Sequence, residues 1–328
     1  MADLSTNYMG LKLKNPLIAG SSGFTDSLEK LRTIEEKGAG AVVLKSLFEE
    51  EIVHEMDETF KKMQSEGFIY PETYNHFEYE DIEDTLANYI KLIKDAKEHL
   101  SIPVIPSINC ISSQKWIYFA KEMEDAGADA LELNAFILPS DFNRSSEQNE
   151  QMYFDIVREV QQQVSIPIAL KLSYYFSSLG PTLKELSKTG INSLVLFNRF
   201  YSPDYNLKTM KVIPSHVLSH PGDITISLRW IAIMAGRVDC HLAASTGVHD
   251  GSGLIKQLLA GADAVQIAST LYKNGYGVIT NMLKVLNEWM DEQEYETINE
   301  FKGKLSQQEL KNPAAYERVQ FMKYFSEK

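Results

Sequence analysis

Eight short apolar runs, separated by longer amphipathic stretches, constrain the fold of this chain most. They are Leu17–Ala19, Ala41–Ser46, Pro103–Asn109, Ala130–Phe136, Pro167–Ser173, Ser193–Asn198, Cys240–Ser245 and Ala264–Ser269. Several are rich in Val, Ile and Leu with little alternation, the pattern of strands buried on both faces. Between them, Asp26–Lys37, Asp81–His99, Ser113–Ala126 and Gln148–Val164 carry apolar residues at helical spacing, such as Leu28, Leu31 and Ile34. Strands alternating with helices pair in parallel through right-handed crossovers. Eight such units predict closure into a (β/α)8 barrel, and 328 residues lie within that architecture's usual span.

Punctuation supports a repeated unit. Lys37-Gly38-Ala39-Gly40, Ala126-Gly127-Ala128-Asp129, Thr189-Gly190-Ile191 and Ala260-Gly261-Ala262-Asp263 each place Gly after a helix and before a strand. Gly is the residue that ends helices in the left-handed conformation. No linker or low-complexity segment interrupts the series, so residues 1–328 read as a single domain. Tyr8–Lys14 reads as a small hairpin plugging the barrel bottom, and Gln307–Lys328 as a C-terminal helical extension. Two stretches break the rhythm as long loops, Glu49–Glu80 and Phe200–Gly222. Both follow strands and so belong to the face where barrel active sites form.

Charge and cysteine content remove several function classes. Net charge is −13, which disfavours nucleic acid and anionic membrane surfaces as partners. Two cysteines, Cys110 and Cys240, encode no iron–sulfur cluster or zinc knuckle, and no metal site is expected. So few thiols fit a reducing compartment. No signal peptide or membrane-length apolar run is present, and the protein reads as cytoplasmic.

Polar residues at the strand ends carry the chemistry. Lys45 ends the second run and Lys171 sits inside the fifth. An ammonium in an apolar strand needs an anionic or electron-rich partner. Asn109, Asn134 and Asn198 end the third, fourth and sixth runs, and an amide suits the edge of a ring carrying both C=O and N–H groups. Thr246-Gly247 follows the seventh run, and Ser269-Thr270 follows the eighth and opens a helix. These two loops are the usual phosphate site of the fold. Gly20-Ser21-Ser22-Gly23 reads two ways, as a backbone wall against a flat ring or as a tight turn.

These residues resemble the dihydroorotate dehydrogenase family, its soluble class-one branch in particular. The matching stretches run from Asn15-Pro16 to Gly23 and include Lys45-Ser46, Ser107-Ile108-Asn109, Glu132-Leu133-Asn134, Leu170-Lys171-Leu172, Asn198, Ser245-Thr246-Gly247 and Gly261 to Ile267. Tyr295 to Leu305 also resembles the family's C-terminal end. The resemblance implies an FMN-dependent barrel. It implies Lys171 at the pyrimidine edge of the flavin, where a cation stabilises negative charge on reduction. Asn109 and Asn134 would bond the ring, with Ser21 and Ser22 beside it. Thr246, Gly247, Ser269 and Thr270 would hold the phosphate. Lys45 would lie near ring and substrate, and Asn198 would reach the substrate with Arg199 beside it. A small-molecule substrate, a small-molecule or separate-subunit electron acceptor and a homodimer follow from the same resemblance.

One departure bears on activity. The family places a Cys or Ser base just after the fourth-strand Asn. Here the chain reads Asn134-Ala135-Phe136-Ile137-Leu138-Pro139, and neither Ile137 nor Leu138 accepts a proton. Substitute bases are Tyr74 and His76 in the long second loop, and Cys110 at the barrel mouth. Three readings stay open: an FMN oxidoreductase acting on a C–C bond next to a carbonyl, a flavin-binding but catalytically silent relative, and a phosphate-binding aldolase or synthase barrel with an imine on Lys171.

Overall fold

The computed structural model describes residues 2–49, 80–109, 113–135, 137–199, 202–313 and 316; side chains are described from 85 and from 116 after the first two gaps. An antiparallel hairpin, β1 (Thr6–Tyr8) and β2 (Leu11–Leu13), opens the chain. β3 (Leu17–Ala19) and α1 (Leu28–Glu36) follow. The second barrel strand is split into β4 (Ala41–Val43) and β5 (Leu47–Phe48), and α2 is Glu80–His99. The third is split into β6 (Val104–Ile105) and β7 (Ser107–Asn109), before α3 (Ser113–Asp125).

Then come β8 (Leu131–Asn134), α4 (Ser146–Gln161), β9 (Ile168–Leu172), α5 (Leu179–Ser187) and β10 (Ser193–Leu196). A second hairpin pairs β11 (Ser202–Asn206) with β12 (Lys211–Ser215). The chain continues through α6 (Ile224–Met234), β13 (His241–Ser245), α7 (Gly251–Ala260), β14 (Ala264–Ile267), α8 (Ser269–Asn274) and α9 (Gly277–Glu292).

Parallel pairing runs around a closed ring. β3 pairs with β4 and β14, β4 with β6, and β5 with β7. β7 pairs with β8, β8 with β9, β9 with β10, β10 with β13 and β13 with β14. This is the expected eight-stranded TIM-barrel-like fold. Pro106 interrupts the third strand because it has no N–H to donate. Tyr89 of α2 repairs the break: its hydroxyl accepts from Ser107 N at 3.0 Å and donates to Ser107 O at 3.2 Å.

Two apolar layers surround the strands. The outer one packs strand residues such as Leu17, Val42 and Leu170 against Leu31, Phe119 and Val157 of the helices. The inner one fills the barrel floor, where Ala41, Ala130, Ala169, Ala243 and Ala264 leave room on the axis for Tyr8, Met9 and Leu13 of the first hairpin. The hairpin therefore plugs the bottom as expected. Gly38, Gly127, Gly190 and Gly261 take φ of +104°, +92°, +92° and +115°, which explains the recurring glycine after each of those helices.

One expectation needs correction. Residues 200–222, read as a loop, contain the β11–β12 hairpin. Pro203 and Pro214 face one another in its register. In a two-stranded sheet every strand is an edge, where proline is tolerated. Asn206 closes the turn, its Oδ1 accepting from the N–H groups of Lys208 and Thr209 at 3.0 Å each. The expected loop 49–80 lies outside the described residues except for its two ends. Most of the expected C-terminal extension also lies outside them.

Candidate functional site

A cavity of about 320 Å³ opens at the carboxyl ends of the barrel strands. Ser21, Ser22, Lys45, Asn134, Lys171, Asn198, Arg199, Thr246, Gly247 and Ser269 all line it. Asn109 is buried at the end of β7, on the same strand face as Ser107, and Thr270 is fully buried. Neither is among the residues lining the cavity. Tyr74, His76 and Cys110 lie outside the described residues.

Lys171 is held from the barrel interior. Its ammonium donates to Gln266 Oε1 at 3.0 Å and stands 3.4 Å from Glu132 Oε1. Gln266 Nε2 in turn donates to Glu132 Oε2 at 2.6 Å. Glu132 is 1% exposed and Gln266 2%, while Lys171 keeps 8% exposure toward the cavity. Ammonium, amide and carboxylate thus form a ring in which each donor meets an acceptor. The rule that a buried charge must be paired singles out Lys171 in the sequence. Applied equally to Glu132 and Gln266, which interrupt the fourth and eighth apolar runs, it would have found all three.

Above this ring lies a layer of amides and hydroxyls. Asn198 Nδ2 donates to Asn134 Oδ1 at 2.5 Å, and Asn134 Nδ2 reaches Ser46 Oγ at 3.4 Å. Ser46 Oγ lies 3.0 Å from Ser21 Oγ and 2.8 Å from Ser107 Oγ. The Gly20–Gly23 segment is both a turn and a wall. Thr25 Oγ1 ties it by accepting from Ser22 N at 3.1 Å, while Ser21, Ser22 and Gly23 face the cavity.

The opposite end is built by the loops after β13 and β14. Thr246 has φ +76° and Gly247 φ +82°. A Cβ on Gly247 would fall 2.1 Å from Ile224 N, so only glycine lets this loop meet the start of α6. Thr246 Oγ1 donates to Phe197 O at 3.0 Å. Ser269 Oγ accepts from Ser219 N at 3.0 Å. Thr270 Oγ1 donates to His249 O at 3.1 Å and accepts from Asn274 Nδ2 at 2.9 Å, which spends its hydroxyl on the loop rather than the cavity.

Ser219, missed in the sequence, pins the hairpin-bearing loop across this end. Its hydroxyl lies 2.9 Å from His249 Nε2, and its carbonyl accepts from Lys273 Nζ at 2.6 Å. Burial, helped by the Lys273 ammonium, holds His249 below its ordinary value of 6.5.

Arg199 bridges this cavity and a smaller neighbour of about 160 Å³. It donates to Asp223 Oδ2 at 2.6 Å and to the carbonyl of His216. Partial burial pushes the Asp223 carboxyl up, but the His220 N–H and the Arg199 guanidinium outweigh it and hold it below the usual range. Beside them Ile137 is half-buried and Leu138 51% exposed. Ile137 lines a third cavity of about 400 Å³ with Tyr153, Tyr174 and Phe176. Among the described residues no group of His, Cys, Asp and Glu is arranged to hold a metal ion, and no helix is long and apolar enough to cross a membrane.

The profile of one protein family, described as dihydroorotate dehydrogenase, matches residues 3–290. The catalytic subunit of dihydroorotate dehydrogenase B (NAD(+)) from Thermoplasma volcanium is 26% identical over 314 residues, covering 92% of this chain and 98% of that protein. Its counterpart from Pyrococcus abyssi is 25% identical over 311 residues, with 92% and 98% covered. The NAD-dependent dihydropyrimidine dehydrogenase subunit PreA of Escherichia coli K12 is 24% identical over 323 residues, covering 92% of this chain and 76% of that subunit.

Proposed function

The chain belongs to the dihydroorotate dehydrogenase family of oxidoreductases, and from that premise we propose that it is an FMN-dependent oxidoreductase acting on a C–C bond next to a carbonyl. The observation that carries this reading is Lys171, a nearly buried ammonium that faces the cavity while Glu132 and Gln266 hold it from behind. The residues present fit the cofactor. The cavity is of ligand size. One end has a cation with amides, the other a Thr-Gly loop that excludes a Cβ.

FMN, when bound, supplies the hydride acceptor or donor. Lys171 would hold the pyrimidine edge and stabilise the negative charge that reduction places there. Asn134 would bond the ring, and Ser21 and Ser22 would form the wall along it, whereas Asn109, buried outside the cavity lining, is not placed to do so. Thr246, Gly247 and Ser269 would hold the phosphate, with Thr270 bracing that loop through His249. Lys45 would lie near ring and substrate, and Asn198 and Arg199 would orient the substrate. The closed ring of strands supports one FMN-binding domain over residues 1–328.

The proton is handled differently from the family's usual way. Ile137 or Leu138 would stand at the base position and neither can accept one, which leaves Tyr74, His76 or Cys110 and favours a substrate other than dihydroorotate. The same loss supports a second reading, a flavin-binding relative without turnover. Glu132 and Gln266 hold the Lys171 nitrogen from behind, and this structural engagement argues against an imine-forming aldolase.

Electrons would leave to a small molecule or to a separate subunit. The names of the relatives, a catalytic subunit and a dehydrogenase subunit, support the latter. A homodimer is part of the same proposal, tested by light scattering.

The test is a visible spectrum of the purified protein, then titration with orotate, then turnover of dihydropyrimidines and enoates with a dye acceptor. Flavin bands are expected, with turnover of a substrate other than dihydroorotate. A colourless protein that takes up no FMN on reconstitution overturns the flavin reading. Flavin without turnover of any substrate selects the silent relative.

A further inference from the structure

Glu132 never reaches the cavity. It is 1% exposed inside the barrel, below Lys171. A bare buried carboxylate is costly, and one ammonium 3.4 Å away is an incomplete partner. The stronger contact is the 2.6 Å bond from Gln266, whose other amide atom accepts from Lys171 at 3.0 Å. The amide is therefore oriented by charge at both ends, with oxygen toward the ammonium and nitrogen toward the carboxylate. The trio carries no net charge, and its cation is the member that faces the cavity.

We propose that Glu132, acting through Gln266 and Lys171, is a positioning residue that sets how strongly this site favours the reduced flavin. The inference rests on the flavin reading above. Lys171 alone would favour reduction, because reduction puts negative charge at the pyrimidine edge. Glu132 offsets part of that charge from below and fixes the direction in which the ammonium points. In a site of low dielectric, a unit of negative charge 3.4 Å behind the ammonium weakens the field that Lys171 presents to the cavity.

Three variants test this by redox equilibrium against a dye of known potential, read in the flavin bands rather than by turnover. Glu132→Gln is expected to shift the equilibrium at least tenfold toward reduced flavin, about 30 mV for a two-electron couple. Gln266→Glu adds a carboxylate and is expected to shift it at least tenfold the other way. The exchanged pair, Glu132→Gln with Gln266→Glu, restores the trio's charge and every hydrogen bond within it. It is expected to return to within about threefold of the parent, a range set by loss of less than one such tenfold step.

Should one single variant fail to fold, the other still reads the effect, because each changes the trio's charge by one unit, in opposite senses. Parent-like equilibria in the single variants, or an exchanged pair displaced tenfold or more, overturn the proposal while leaving the flavin reading intact. Absence of bound FMN in the parent protein overturns the flavin reading itself.

Discussion

Asn198 donates to Asn134 at 2.5 Å across the end of β9, the strand that separates their own two strands. Lys171 is the register partner of Asn134 on that intervening strand, and its carbonyl lies 3.5 Å from Asn198 Nδ2. The two amides therefore act as one bridge above the lysine. Replacing either by Ala should remove the shared hydrogen bond, worth about 1 kcal/mol or roughly a fivefold loss in FMN affinity, with a further loss at Asn134, which also reaches Ser46 and would bond the ring. The double replacement removes the shared bond only once, so its cost should fall short of the sum by about 1 kcal/mol. Fluorescence quenching of FMN by apoprotein measures all three, and strict additivity would refute the bridge.

Gly247 and Gly190 both have positive φ but differ in what stands beside them. A Cβ at Gly190 would meet only the tip of Gln161 at 3.4 Å, whereas at Gly247 it would strike the backbone of Asp223 and Ile224. Gly190→Ala should cost about 1–2 kcal/mol from conformation alone. Gly247→Ala adds overpacking and should cost about 2–5 kcal/mol, with loss of bound flavin because α6 must move. Urea unfolding gives the first comparison and flavin content the second; equal costs at the two positions would contradict it.

Much of the barrel was legible in the sequence because burial on both faces leaves a plain mark in every strand, and the glycines after helices mark the return to the next. The candidate site was legible at Lys171, Asn134 and Asn198, where a polar residue interrupts or ends an apolar run. Glu132 and Gln266 escaped because their meaning lies in pairing across the barrel, 39 and 95 residues from Lys171. Ser219 escaped because a serine in a long loop carries no pattern until the fold brings it to His249. The β11–β12 hairpin escaped because its strands are largely exposed and lack the apolar run that marks each barrel strand.

His249 links the loops around the proposed phosphate end to pH. Its neighbours are Lys273, Asp250, His220 and Asp223, and its protonation is disfavoured in the folded protein. The unfolded chain takes up a proton as pH falls through 6.5, while folded His249 resists. Stability from this group is thus complete above 6.5 and is lost as pH falls from there toward the lowered folded value; below that, both states are protonated and the loss stops. His249→Gln keeps an amide nitrogen near Ser219 but cannot titrate. Urea midpoints across pH 5–8 should fall less steeply toward acid in the variant, and parallel curves would exclude His249 as a contributor.

Lys171 allows stability to be separated from cofactor binding. Lys171→Met keeps length and removes the charge, leaving Glu132 buried with Gln266 as its remaining partner. Breaking a buried pair from one side should cost about 3–5 kcal/mol. Adding Glu132→Gln removes the stranded carboxylate and should recover most of that loss. Flavin binding should remain weak in both proteins, since neither keeps the Lys171 cation at its end of the cavity. Denaturant unfolding and flavin titration on the same samples check the two halves separately. Recovery of flavin affinity along with stability would mean that Lys171 serves the barrel's packing alone; stability restored without affinity assigns the charge at the strand end to the ligand.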